Sequence, residues 1–146
     1  MKILFLDVDG VLNYAGCKFR YKGTSMLGVD PDMVAMVRRI VRDTGCKIVM
    51  SSSWRHDQES REWVAKKVGG IIDITPTTHL YKYEDKPRGT EIYDWLSRAK
   101  GIECYAILDD DSDFHEYQPL FKTDWNTGLT PEITQQVIDH LNGVIA

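Results

Sequence analysis

Asp7 and Asp9 stand two apart where an apolar run ends, so on an extended backbone both carboxylates face one side. That spacing suits a reaction in which one group attacks an electrophile while the other moves a proton. Two further apolar runs also end in polar groups: Lys47–Met50 at Ser51-Ser52-Ser53-Trp54, and residues 105–108 at Asp109-Asp110-Asp111. Asp7, Asp9, Asp109 and Asp110 gathered at one crevice would repel one another without a cation, and an all-oxygen donor set suits Mg²⁺. Mg²⁺ uses one or two carboxylates, keeps several waters and takes a substrate phosphate oxygen, so a phosphorylated substrate is implied. Ser51 offers its hydroxyl and neighbouring amides to a second phosphate oxygen, and Gly10 lets the backbone turn tightly beneath it. Charge developing on a transferring group also needs a fixed cation, for which Lys86 and Arg88 are the candidates.

These groups meet only if the elements beneath them lie side by side. Lys2–Leu6, Lys47–Met50 and residues 105–108 are apolar almost throughout, as strands covered on both faces are, and residues 71–74 and 120–123 offer two more. Between them the period changes. Asp30-Pro31-Asp32 opens a helix of about three turns carrying Met33, Val34, Val37, Ile40 and Val41, with Gly45 as its stop. Helices are also predicted over Gln58–Val68, ended by Gly69-Gly70, over residues 89–100 and over Pro131–Leu141, while residues 75–88 read as a loop. Alternating strands and helices predict an α/β fold: a three-layer, Rossmann-like parallel sheet with helices on both faces, in a single domain over residues 1–146. In such sheets ligands bind beyond the carboxyl ends of the strands, where all three polar sets fall.

Composition narrows the field. A net charge of −4 argues against a general nucleic-acid coating protein but is compatible with local basic clusters. Cys17, Cys46 and Cys104 are widely spaced with no Cys-x-x-Cys pair and read as reduced thiols, and no signal-peptide pattern is seen, so a cytoplasmic protein is expected. No apolar run approaches the ~20 residues of a membrane span, so no membrane partner is expected. His56, His79, His115 and His140 share no ligand spacing.

Asp7-Val8-Asp9-Gly10-Val11-Leu12 resembles the first motif of haloacid dehalogenase (HAD) phosphatases. Ser51, then Lys86 or Arg88, then Asp109-Asp110 are similar to the family's later motifs in order and spacing. Ser-Ser-Trp-Arg at 52–55, Arg-Gly-Thr-Glu-Ile at 88–92 and Leu-Asp-Asp-Asp-Ser-Asp at 108–113 resemble the small domains of RNA-repair proteins and phage polynucleotide kinase-phosphatases. The resemblance implies a HAD-like core and a two-step displacement, with Asp7 as nucleophile and Asp9 as general acid and base. It implies Mg²⁺ held by the Asp7 carboxylate, the Asp9 carbonyl, and Asp109 or Asp110. The family places a cap either after motif one or between motifs two and three. Residues 13–29 read as a mere loop and residues 55–85 hold one helix and one short strand run, so no cap domain is expected. An open crevice suits a large substrate, such as an RNA or DNA end, or a nucleotide. Arg20, Lys22, Ser52 and Arg55 are candidates for binding substrate phosphates, and Trp54 for stacking on a base or packing on the core. The rival readings are a phosphoprotein or small-metabolite phosphatase of the same fold, a receiver-like signalling module and an idle phosphate-binding module. The sequence leaves the oligomeric state open.

Overall fold

Five strands, β1 Lys2–Leu6, β2 Lys47–Met50, β3 Asp73–Ile74, β4 Cys104–Asp109 and β5 Leu120–Lys122, form one parallel sheet in the order β3-β2-β1-β4-β5. The computed structural model describes residues 1–77 and 86–144; most of the loop expected over 75–88, including His79, lies outside them. β1 is wholly buried from Ile3 to Leu6 and lies between β2 and β4. The chain leaves β1 toward β2 and β3 on one side and returns to β4 and β5 on the other. The crevice at that change of direction opens beyond the carboxyl ends of β1 and β4.

Among the described residues four α-helices cover the sheet: α1 Pro31–Thr44, α2 Gln58–Val68, α3 Pro87–Arg98 and α4 Pro131–Leu141. The division between faces follows from the strand period of two. Leu4 and Leu6 of β1 point to the side where Val34, Val37 and Ile40 of α1, Val64 of α2, and Val137 and Leu141 of α4 pack. Ile3 and Phe5 point to the other, where Ile92 and Trp95 of α3 supply the helical cover. The edges of Trp95 and Tyr105 both meet the Phe5 ring, at centroid separations of 5.4 and 5.8 Å. Among the described residues the layers are therefore unequal, three helices against one.

The α/β core, a parallel sheet with helices on both faces, is as the sequence predicts, with corrections at element ends. α1 has 14 residues, nearly four turns rather than three: Arg42, Asp43 and Thr44 prolong it past its apolar stripe until Gly45, at φ 73°, ends it. α3 begins at Pro87, two residues early, because proline is pre-set for a first helical position. β3 keeps only two of its four expected residues, since Gly69 and Gly70, at φ 91° and 127°, bring the chain to the sheet edge late. Residues 13–29 are more than a loop. Arg20 and Leu27 form an antiparallel bridge flanked by the bonds Tyr21 N–H to Met26 C=O (2.9 Å) and Gly28 N–H to Phe19 C=O (2.9 Å), which make a small hairpin. Neither this hairpin nor the single helix and short strand after Ser51 amounts to a cap domain among the described residues. No helix among the described residues is long and apolar enough to cross a membrane.

Candidate active site

The sheet ladder runs on into the polar sets and fixes their level. Asp7 N–H donates to Leu108 C=O, Ser51 N–H to Leu6 C=O and Thr123 N–H to Asp109 C=O, each at 3.0 Å. Carboxylate oxygens of Asp7, Asp109 and Asp110 consequently lie within 4.8 Å of one another. Asp7 and Asp109 are buried, and Asp110 is half-buried. Burial, then the charge of Asp109, holds the Asp7 carboxyl well above its ordinary range, with Arg88 opposing; burial likewise raises Asp109, again against Arg88. Three acids so placed form a site that favours a positive charge.

Arg88 supplies one such charge from the first turn of α3. Its Nη1 lies 2.9 Å from Asp109 Oδ2, 3.8 Å from Asp7 Oδ1 and 3.4 Å from the Ser51 carbonyl oxygen. Lys86, the other sequence candidate for the cation, is the N-cap residue of α3, and its side chain makes no capping bond. Gly10 is required by space as well as by its φ of 83°, because a Cβ there would come within 2.3 Å of Asp110 Oδ2. The buried hydroxyl of Ser51 has no hydrogen-bond partner among the described residues. A buried orphan is costly unless a ligand completes it.

Asp9 is held by two groups that sequence reasoning passed over or left undecided. Asn13, fully buried, donates from Nδ2 to Asp9 Oδ1 (2.9 Å) and to the Gly28 carbonyl (2.9 Å), while its Oδ1 accepts from Gly10 N–H (2.9 Å). The Trp54 indole donates to Asp9 Oδ2 at 3.2 Å. Trp54 stacks on Trp63, and both meet the Tyr21 ring edge-to-face, so Trp54 serves the site while packing on the core. A buried Asn four residues after the second aspartate was the available signal for the first. Nothing in the sequence separates a Trp54 that stacks on a base from one that orients a carboxylate.

Three phosphate-binding candidates are placed otherwise. The Arg55 guanidinium is buried and spends its donors internally, on the carbonyls of Ser51, Ser52, Thr75 and Pro76 and on Glu91. It has no donor left for a phosphate. Ser52 Oγ accepts from Trp54 N–H and caps the 3₁₀ turn Ser53–His56, while Asp57 caps α2. Arg20 lies exposed on the hairpin, with Nη1 on the Cys17 carbonyl at 3.0 Å, and forms no ion pair with the three acids.

The donor set fits Mg²⁺: hard carboxylate oxygens within reach of one ion, two of them on buried residues that need a counter-charge, and no sulfur or imidazole among them. Residues 3–133 match the family described as the HAD domain in Swiss Army Knife RNA repair proteins. No curated protein and no solved structure matches the chain.

Proposed function

The chain belongs to the family of HAD domains in Swiss Army Knife RNA repair proteins, and from that premise we propose a Mg²⁺-dependent phosphomonoesterase that removes a terminal phosphate from a nucleic acid or nucleotide. The observation that carries the reading is the meeting of buried Asp7 with Asp109, Asp110 and Arg88 at the carboxyl ends of β1 and β4. Three free cysteines fit a reducing, cytoplasmic setting.

Asp7, Asp109, Asp110 and the Asp9 carbonyl would hold Mg²⁺, which when bound supplies charge neutralisation at the phosphate and the acids. A carboxylate oxygen of Asp7 attacks phosphorus, the bond to the leaving oxygen breaks, and Asp9 gives that oxygen its proton. In the second step Asp9 takes a proton from water as the water oxygen attacks phosphorus, and the bond to Asp7 breaks to release inorganic phosphate. Asn13 and Trp54 aim Asp9 through both of its oxygens. Arg88 faces the charge that develops on the phosphoryl oxygens, and Ser51 Oγ donates to one of them.

The purified protein is expected to dephosphorylate 3′- or 5′-phosphorylated RNA or DNA, or nucleotides, with Mg²⁺ present and to stop when EDTA removes it. Steady activity on sugar phosphates with none on oligonucleotides or nucleotides would overturn the substrate class. A long-lived phosphoprotein without turnover would instead favour a receiver-like module. Arg88→Ala should lower kcat by about 10²–10³-fold, the usual cost of a lost oxyanion-stabilising group. Steady-state rates on a small phosphomonoester check this, and a loss confined to KM would argue that Arg88 only binds.

A further inference from the structure

The segment Cys17-Lys18-Phe19-Arg20-Tyr21-Lys22 alternates apolar and basic residues, a strand period inside what otherwise reads as loop. The structure sorts the two sets onto opposite faces. Cys17 and Tyr21 are buried and Phe19 half-buried, whereas Lys18, Arg20 and Lys22 are all exposed. The inner face is tied to the reacting groups at two points. Tyr21 meets the Trp54 ring whose indole holds Asp9, and the Gly28 carbonyl accepts from the Asn13 amide that holds the other Asp9 oxygen. Gly28 permits the two hairpin arms to close, because a Cβ there would come within 2.5 Å of the Arg20 backbone.

The outer face is basic in a chain whose net charge is −4. Lys22 pairs with Glu59 of α2, but Lys18 and Arg20 have no carboxylate partner among the described residues. Alternate residues of an extended strand are about 7 Å apart, close to the phosphate spacing of an extended single strand. Such a row of cations is poorly matched to a small phosphate ester and well matched to a polyanion that continues beyond the site.

We propose that the outer face of the residue 17–28 hairpin binds the sugar-phosphate backbone of the strand whose terminal phosphate enters the site, with Lys18 and Arg20 as its phosphate contacts. The identity of the strand as a substrate rests on the phosphatase reading above; the surface itself does not.

Two probes separate the two claims. An unphosphorylated, fluorescently labelled single-stranded RNA reports binding with no turnover possible, and p-nitrophenyl phosphate reports turnover with no strand attached. The full chain should bind the RNA with salt-dependent affinity. Lys18→Ala/Arg20→Ala should weaken binding about tenfold and reduce the slope of log affinity against log salt by about 1.4, two contacts at roughly 0.7 each. Its turnover of p-nitrophenyl phosphate should equal the parent's, and Lys18→Arg should bind as the parent does. Unchanged RNA affinity and slope in the double variant would overturn the surface, as would an equal loss on both probes. If RNA binding falls as expected but the parent hydrolyses no phosphomonoester, the surface stands and the phosphatase reading fails.

Discussion

Asp7→Asn is expected to abolish turnover, with a fall of about 10⁴-fold or more on any phosphomonoester, because the substitution removes the nucleophile of the proposed mechanism. The same change should leave the fold intact or slightly more stable. Asparagine has nearly the shape of aspartate, and the carboxyl it replaces is buried beside Asp109, which burial has also pushed upward. A group whose folded pKa lies above its unfolded one favours folding when protonated, and that contribution fades as pH rises. At neutral pH a neutral amide relieves the repulsion. Mg²⁺-dependent rate and thermal midpoint, measured on the same preparation, should therefore move in opposite senses or the rate alone should move. An Asp7→Asn protein retaining a tenth of the parent rate would remove Asp7 from its role. Strong destabilisation would show that the acid holds the structure rather than the reaction.

Arg55→Met is expected to cost stability, about 3–5 kcal/mol, the range for breaking a buried ion pair from one side. Methionine replaces the stem of the side chain but none of its donors. Glu91 is left buried without its partner, and four carbonyls on two stretches of chain lose their bonds to the guanidinium. Glu91→Gln should cost less, because Arg55 keeps its carbonyl bonds. The difference carries a pH signature. Burial raises the Glu91 carboxyl to about 7, with Arg55 as the main opposing influence. Loss of Arg55 removes an influence that lowers this carboxyl, so the variant holds the Glu91 proton to higher pH than the parent does and its stability falls more steeply as pH rises. Denaturant unfolding at pH 6 and pH 8 should show the larger deficit at pH 8. An equal or smaller deficit at pH 8 would mean that the carbonyls, not the ion pair, account for the role of Arg55.

What could be read from sequence divides along physical lines. The central strands were legible because a strand buried on both faces must be apolar along its whole length, and β1 and β2 match residue for residue. β3 was legible only in part, two residues of the four expected over 71–74, because an edge strand needs only its ladder bonds and leaves little trace of its ends in residue type. At the site, Asp7, Asp109 and Asp110 announced themselves as acids at strand ends, and the structure brings them together with Arg88. Arg55 misled for the opposite reason. Most of its partners are backbone carbonyls, which carry no sequence signature, and its one side-chain partner is 36 residues away. Glu91 looks like an ordinary helix residue until its burial is known. The hairpin was written in the alternation from Cys17 to Lys22, but its short arms and glycines concealed a period of two.

The unequal cover of the sheet bears on how the protein comes apart locally. α1, α2 and α4 share one continuous core, whereas α3 stands alone on its face, docked through Ile92, Trp95 and the Arg55–Glu91 pair. Partial opening starts where the fewest apolar contacts must be undone, so α3 should be the first helix to exchange its amide protons. Arg88 rides on that helix, while the acids are rooted in the central strands. A brief undocking of α3 would withdraw the positive charge and leave the carboxylates in place, giving a bound anion a way out that does not require the sheet to yield.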